Sequence, residues 1–341
     1  MLLVPIYFYI HPQHFPVDIP HTVEENWSGF GLGIYAWTIQ TYLRLKLNGF
    51  PCFLVNRIPD EGIVFIHRNI LTRYHSHFKP GQKLLLICLQ GELLPFPYAQ
   101  IQVVQNPTAI QQPSNSYYLP HWTQPGLIPR DKNREMKFEN IAFFGHQNNL
   151  TPELLSPSWQ QHLHQLNLNW LPVINTNSWA FYQHLNNQWN DYRQIDAIVA
   201  IRGFGKNNIY PDKPATKLYN AWLAGVPAIL GYESAYRAEG NPNQDYLEVT
   251  SMTELLSALI QLKQNPELRQ ALVQKGNQQA KQFNPDVFTQ RWCNFIETIA
   301  IPAYENWCQT PQWLQQIILK KSYVNSLINR GKLKLKTQFY F

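Results

Sequence analysis

Short, uninterrupted apolar segments recur along this chain and restrict its fold more than any other feature. Leu84–Leu89 is apolar throughout, and Asp196–Ile201 is apolar after its first residue. Strands that are buried on both faces have this character, whereas strands with one solvated face alternate apolar and polar residues. Similar segments lie at Leu2–Ile10, Pro51–Val55, Ile63–His67, Ile101–Val104, Asn140–Phe144 and Pro227–Leu230. Because helical or polar segments separate them, the sequence predicts parallel sheets covered by helices.

This alternation occurs twice, and the proline-rich stretch 107–137 separates the two series. A chain of 341 residues is long enough for two domains. We therefore predict an α/β protein with two Rossmann-like, doubly wound domains that face a cleft. The expected divisions are a first domain at 1–120, a linker at 121–139, a second domain at 140–300, and a helix that crosses back with a basic tail at 301–341. The expected helices include Ile34–Leu47, 152–166, 178–188, Glu254–Lys263, Pro266–Phe283 and Trp292–Ile299.

Composition and charge exclude several classes of protein. The formal net charge of +6 suits a phosphate-bearing ligand or an anionic membrane surface, but it is too diffuse to indicate nucleic-acid binding. No apolar run reaches the ~18 residues of a transmembrane helix, and the N-terminus lacks the features of a signal peptide. The four cysteines are far apart and have no zinc spacing, so we expect reduced thiols, a cytoplasmic location and no metal.

Donor groups cluster around one predicted helix start in the second half of the chain. Lys213, Thr216 and Lys217 surround that start, and Arg202 follows the preceding strand. Asn220 lies one turn further along the same helix face. A helix N-terminus binds anions, and lysines there are unfavourable unless an anion is present. The alternative is a surface helix with solvated lysines, but the position of the lysines favours a diphosphate site.

The segment Lys213–Leu230 carries a resemblance to a known fold class. Its residues Lys-Pro-x-Thr-Lys-Leu-x-Asn-Ala-x-x-Ala-Gly-Val-Pro-x-Ile-Leu resemble the donor-binding segment of GT-B glycosyltransferases. The closing A-x-x-A-G-x-P-x-I pattern is similar to the glycosyltransferase 4 type, and Thr-Lys-Leu-x-Asn-Ala is similar to α1,3-fucosyltransferases. The resemblance implies transfer of a sugar from a nucleotide-diphosphate sugar to a saccharide or lipid-linked acceptor. It also implies that no metal or cofactor is needed beyond the donor substrate.

The sequence departs from the glycosyltransferase 4 pattern at one pair of positions. Many members of that type carry two glutamates eight residues apart, and Asp212 and Asn220 occupy those positions here. Asn220 could still bind a ribose hydroxyl, whereas Asp212 could simply cap the helix. This departure leaves the choice between a retaining and an inverting reaction open.

Other residues at expected strand ends are candidates for contacts with the donor. Gly145 and His146 end the first strand of the second domain, and Glu233 and Tyr236 follow a later strand. Each of these could instead belong to an ordinary loop. In the first half, a glycine-rich loop before the first helix could approach a phosphate or the acceptor, or could be a plain turn. Its three glycines are Gly29, Gly31 and Gly33.

An inverting transferase needs a base to deprotonate the acceptor hydroxyl. Glu92 follows the apolar strand Leu84–Leu89, and His121 lies at the start of the expected linker, so both are candidate catalytic residues. A structural role is an alternative for each of them. A nucleotide-sugar epimerase and a catalytically silent sugar-binding module also remain open as functions.

The C-terminal segment Trp313–Phe341 mixes aliphatic and aromatic residues with lysines. It could lie on an anionic membrane surface near a lipid-linked acceptor, which would place the protein at the inner membrane face. The alternative is a final helix packed on the first domain, with a frayed end.

Overall fold

The first half of the chain forms a six-stranded parallel sheet. A computed structural model describes residues 4–110, 115–176 and 188–338, with side chains described up to residue 328. The strands are β1 Ile6–Tyr9, β2 Cys52–Val55, β3 Gly62–His67, β4 Leu84–Leu89, β5 Ile101–Val104 and β6 Ser116–Tyr118, in the order β2-β1-β3-β4-β5-β6. Every residue of β3, β4 and β5 is buried, as the apolar segments predict. Helices α1 Gly33–Leu47 and α2 Arg68–Tyr74 follow β1 and β3.

The second half forms a five-stranded parallel sheet. Its strands are β7 Asn140–His146, β8 Asn169–Asn175, β9 Ala197–Ala200, β10 Ala228–Gly231 and β11 Leu247–Val249, in the order β11-β10-β9-β7-β8. The accompanying helices are α3 Pro157–Gln165, α4 Thr216–Ala224, α5 Ser234–Glu239, α6 Met252–Gln264 and α7 Pro266–Ala280. The two parallel sheets with their helices confirm the predicted pair of Rossmann-like domains.

Each strand that the sequence does not predict lies at a sheet edge. β6, β8 and β11 each lie at the end of a sheet. β8 reads Asn-Trp-Leu-Pro-Val-Ile-Asn, and several of its residues are exposed. Proline is tolerated on an edge strand because its missing N–H faces no neighbour. The sequence signal for a strand buried on both faces is therefore absent at these positions. The helix expected at 178–188 lies outside the described residues.

After α7 the chain returns to the first domain. This return consists of α8 Pro285–Phe295, a π-helical turn at Ile296–Ala300, α9 Ile301–Gln309 and α10 Gln312–Gln338. The Trp292 ring on α8 lies 5.9 Å from that of Trp37 and stacks on Trp122 at 6.4 Å, centroid to centroid. Trp292 is buried, so α8 already contacts the first domain through the Trp37 ring.

No helix in the described ranges is long and apolar enough to cross a bilayer.

Candidate functional site

Two adjoining cavities lie where the carboxyl ends of both sheets face each other. The larger has a volume of about 370 Å³ and the smaller about 160 Å³, and residues of both domains line each of them. In both sheets the strand order reverses at this place, between β1 and β3 and between β7 and β9. Ligands of doubly wound sheets bind at such reversal points, outside the carboxyl ends of the strands.

The opening of α4 presents cationic groups to the smaller cavity. Helix α4 begins at Thr216, and its N-cap residue, Ala215, has no side chain that could cap it. Thr216, Lys217 and Arg202 all line the cavity, as the sequence predicts. The Thr216 hydroxyl is buried and has no hydrogen-bond partner among the described residues. This end of the helix therefore offers free N–H groups, a hydroxyl and positive charge to a ligand.

Arg202 is held in place by a buried carboxylate. Its guanidinium forms an ion pair with Glu233 and donates a hydrogen bond of 3.2 Å to Asn149. Burial lowers the pKa of Arg202, but its interactions with Glu233, Tyr236 and Glu92 together outweigh burial and raise that pKa. Burial raises the pKa of Glu233, and the Arg202 charge opposes that shift. Arg202 is thus fixed in its charged form at the wall of the cavity.

Glu233 and Tyr236, which the sequence places in contact with the donor, lie behind Arg202. Their exposed fractions are 1% and 0%, and neither lines the two cavities. The sequence correctly brings Glu233 to this end of the sheet, but its carboxylate faces an arginine. The contact observed for Glu233 is the ion pair that holds the Arg202 guanidinium in place.

Lys217 carries a charge that the protein leaves largely uncompensated. Its ammonium lies 5.3 Å from the centroid of the Phe143 ring and forms no ion pair within the described ranges. Burial lowers the pKa of Lys217, and the nearby Arg202 charge lowers it further. A bound anion would oppose this lowering and raise the pKa of Lys217, since it supplies an opposite charge.

Gly145 lies beside Lys217 near the end of β7. Its φ of +154° is a conformation that other residues rarely adopt, and an added Cβ would lie 3.5 Å from the Lys217 ammonium. The next residue, His146, donates a hydrogen bond of 3.1 Å from Nε2 to the carbonyl of Gly31, which links the two domains. Burial lowers the pKa of His146. Both predicted residues line the smaller cavity.

Asn220 lines the smaller cavity and is buried. Its side-chain oxygen accepts a hydrogen bond of 2.9 Å from the backbone N–H of Gln124 in the segment between the sheets. The predicted helix face therefore does bring Asn220 to the site of Lys217, and a contact with the interdomain segment fixes its amide.

The three glycines of the first loop have different surroundings. Gly33 begins α1 and lines the larger cavity, and the N-cap residue of this helix, Leu32, makes no side-chain cap. Gly31 contributes the carbonyl that His146 contacts. Gly29 is packed beneath Trp27, where an added Cβ would come within 2.2 Å of the indole ring. Gly33 thus lies at the cavity, whereas Gly29 is required for packing.

The two predicted catalytic residues, Glu92 and His121, line both cavities. Glu92 forms an ion pair with Lys213, which holds the first domain to the second across the cleft. His121 is hydrogen-bonded through Nδ1 to the carbonyl of Trp122 at 2.9 Å. Because a carbonyl can only accept, Nδ1 carries the proton and Nε2 keeps a lone pair. Burial lowers the pKa of His121, which favours this neutral form.

His67 is a site residue that the sequence reasoning did not select. It ends β3, lines the larger cavity, and accepts a hydrogen bond at Nδ1 from the Asn69 N–H that starts α2. Burial, His121 and Arg68 lower the pKa of His67 to about 3, so it is neutral. The proton therefore resides on Nε2, which makes this atom a donor. Its position after a fully apolar strand, like that of Glu92, is the signal that could have identified it.

Within the described ranges, no group of three or more His, Cys, Asp or Glu residues could hold a metal ion.

Several solved structures are similar to this chain. A TarM mutant from S. aureus, in complex with fondaparinux, α-GlcNAc-glycerol and UDP, aligns with a TM-score of 0.52 and 8% identity over 76% of this chain and 58% of that one. HepE from Anabaena, in complex with UDP-glucose, aligns with a TM-score of 0.49 and 10% identity over 87% of this chain and 100% of that one. Sucrose-phosphate synthase from Thermosynechococcus elongatus aligns with a TM-score of 0.48 and 10% identity over 79% of this chain and 78% of that one. No family model and no curated protein matches the chain.

The chain has the GT-B fold. Its two parallel sheets with facing carboxyl ends agree with the TarM structure, which it matches over little more than half of that chain's length. The fold predicted from Lys213–Leu230 and from the strand pattern is therefore confirmed.

We predict that Lys217→Met stabilises the protein in the absence of ligand. Because the pKa of Lys217 is lowered on folding, the charged form costs free energy below the unfolded pKa of about 10.4. The gain in the free energy of unfolding should be about 0.5–2 kcal/mol at neutral pH, and should vanish above pH ~10.4. Urea unfolding at several pH values measures it. Lys275→Met, on the exposed face of α7, is the control. A loss of stability at neutral pH in Lys217→Met would contradict the prediction.

Proposed function

We propose that this protein is a glycosyltransferase that moves a sugar from a nucleotide-diphosphate sugar to a saccharide or lipid-linked acceptor. One observation carries the proposal: the half-buried Lys217 lies in the cleft beside Arg202 and the start of α4, and its ammonium has no ion-pair partner among the described residues. A diphosphate matches this arrangement in charge and in hydrogen-bonding capacity. The similar TarM structure contains UDP, which supports a uridine nucleotide as the first donor to test.

The proposed donor position follows from the site. The diphosphate lies at the start of α4, against Arg202, Lys217 and the Thr216 hydroxyl, with Lys213 at the cleft entrance. Asn220, deeper in the smaller cavity, hydrogen-bonds a ribose hydroxyl through its amide. During transfer the leaving diphosphate gains negative charge, so fixed cations and a helix dipole stabilise the transition state more than the ground state.

The proposal assigns the charge-neutralising role to side chains and requires no cofactor other than the donor. Arg202, Lys213 and Lys217 provide positive charge at the place where a leaving diphosphate would lie. We further propose, from the motif in Lys213–Leu230, the glycosyltransferase 4 type and a hexosyl donor.

The larger cavity is the proposed site of the transferred sugar and the acceptor. His67 Nε2 offers a donor there, and His121 Nε2 offers a lone pair. If the reaction inverts the anomeric centre, His121 fits the role of base better than Glu92, because Glu92 is paired with Lys213. Glu92 is then a residue that positions Lys213.

We also propose a cytoplasmic location. All four cysteines are free thiols, and Cys52 and Cys88 are buried in the first domain. Free thiols persist in a reducing compartment.

Calorimetry with a panel of nucleotide-diphosphate sugars, followed by assays of hydrolysis, epimerisation and transfer, tests the function. For the nucleotide that binds, Lys217→Ala should weaken binding by about tenfold or more, since a charge-assisted hydrogen bond is lost. Lys275→Ala is the control, and circular dichroism confirms the fold of both variants. Unchanged affinity in Lys217→Ala would refute the donor site. Binding with epimerisation or without any turnover would refute the transferase function but not the site.

A matched pair of substitutions tests the role of His67. His67→Asn keeps an oxygen near Nδ1 to cap α2 but removes the Nε2 donor, whereas His67→Gln places an amide near Nε2 and loses the cap. We expect kcat/KM to fall by about tenfold or more in His67→Asn, with UDP affinity retained. His67→Gln should keep more activity but unfold more readily. Equal activity of His67→Asn and the natural protein would show that Nε2 contacts no reacting molecule.

A further inference from the structure

Helix α10 packs on the first domain through a partly polar face. Gln315 and Leu319 are buried, and Ser322 and Ser326 are half-buried. Gln315 donates hydrogen bonds of 3.1 Å to the Gln82 carbonyl and 2.6 Å to the Trp307 carbonyl. These positions recur every three or four residues and therefore lie on one side of the helix.

The opposite side of α10 is apolar and exposed to solvent. Trp313 is 65% exposed, and Ile317, Val324 and Ile328 are each 51% exposed. At 100° per residue these four residues point away from the buried side. A surface helix of a water-soluble protein normally has its apolar stripe towards the core and its polar residues outward. In α10 this arrangement is reversed, so the outward face lacks a partner within the described part of the chain.

Every charged residue of α10 is basic. Lys320 and Lys321 are exposed between Ile317 and Val324, and the sequence from Gln312 to Gln338 contains no Asp or Glu. More basic residues follow at Arg330, Lys332, Lys334 and Lys336. The first domain adds Lys79, whose ammonium lies 5.2 Å from the centroid of the Tyr98 ring. That ring stacks on Tyr323 of α10 at 5.4 Å.

We propose that α10 binds an anionic membrane surface through this outward face. Trp313, Ile317, Val324 and Ile328 enter the boundary between head groups and acyl chains, while Lys320 and Lys321 contact acidic head groups. Apolar area and basic charge on one face are the two contributions that hold a helix in the plane of a membrane. The proposal is independent of the assigned transferase activity, because it uses no residue of the cleft.

The charge pattern argues against a second copy of the chain as the occupant. In a two-fold dimer through this face, each α10 would meet the same patch of its partner. Lys320 and Lys321 would then face like charges in a partly apolar contact. An anionic lipid surface satisfies the apolar residues and the lysines together.

Co-sedimentation of the full chain with vesicles tests the proposal. The probes are vesicles of phosphatidylcholine alone and of phosphatidylcholine with phosphatidylglycerol, each at low and high salt. We expect binding to the anionic vesicles, weakened by salt. The triple variant Ile317→Ser, Val324→Ser, Ile328→Ser should lower the partition constant by about tenfold or more. Lys320→Gln and Lys321→Gln should each lower it by about fivefold at low salt.

Control substitutions elsewhere on the surface separate a specific face from general stickiness. Ile260→Ser on α6 and Lys275→Gln on α7 change exposed residues of the same types and should leave the partition constant unchanged. Three results would overturn the proposal: no binding to vesicles, equal binding to both vesicle types, or control variants whose partition constant falls as much as that of the triple variant. Sedimentation equilibrium showing a dimer that the triple variant dissociates would also overturn it, in favour of a second copy.

Discussion

The positive charge of Lys217 beside Arg202 is the constraint on which this account of the cleft depends. Glu233 neutralises Arg202 from behind, and this buried pair fixes the guanidinium at the wall of the smaller cavity. Lys217 then lies near a second cation in a half-buried position, where its charged form is costly. A fold retains such a cost where the charge has a use, and perturbed pKa values of this kind concentrate at functional sites.

The two domains are held together by contacts that surround the cleft and leave its centre open. His146 reaches the Gly31 carbonyl on one side, and Gln105 and Asn106 donate to the carbonyls of Asp212 and Lys213 on the other, at 2.8 and 3.0 Å. The aromatic contacts of Trp292 with Trp37 and Trp122 attach the C-terminal segment to the first domain. Binding groups from both sheets thus converge on one space, while the interactions that stabilise the pair of domains lie around it.

Much of the fold could be predicted because the central strands are buried on both faces. Leu84–Leu89 and Ile101–Val104 match the observed strands, since complete burial leaves an uninterrupted apolar signal. The edge strands β6 and β8 lack that signal, since they are only partly buried. The opening of α4 was recognisable because lysines at a helix N-terminus are unusual. The pairing of Glu233 with Arg202 could not be predicted from the sequence, because it joins two loops that only the folded sheet brings together. His67 follows an apolar strand, but its tautomer depends on the hydrogen bond from the Asn69 N–H, which only the folded structure shows.

The most direct test of the central claim is the pKa of the Lys217 ammonium, measured by NMR on lysine-labelled protein with and without UDP. Lys217→Arg assigns the resonance. The account predicts a pKa below the usual lysine value in the free protein and a rise when UDP binds. An ordinary pKa in the free protein, or a lowered pKa that UDP leaves unchanged, would contradict it.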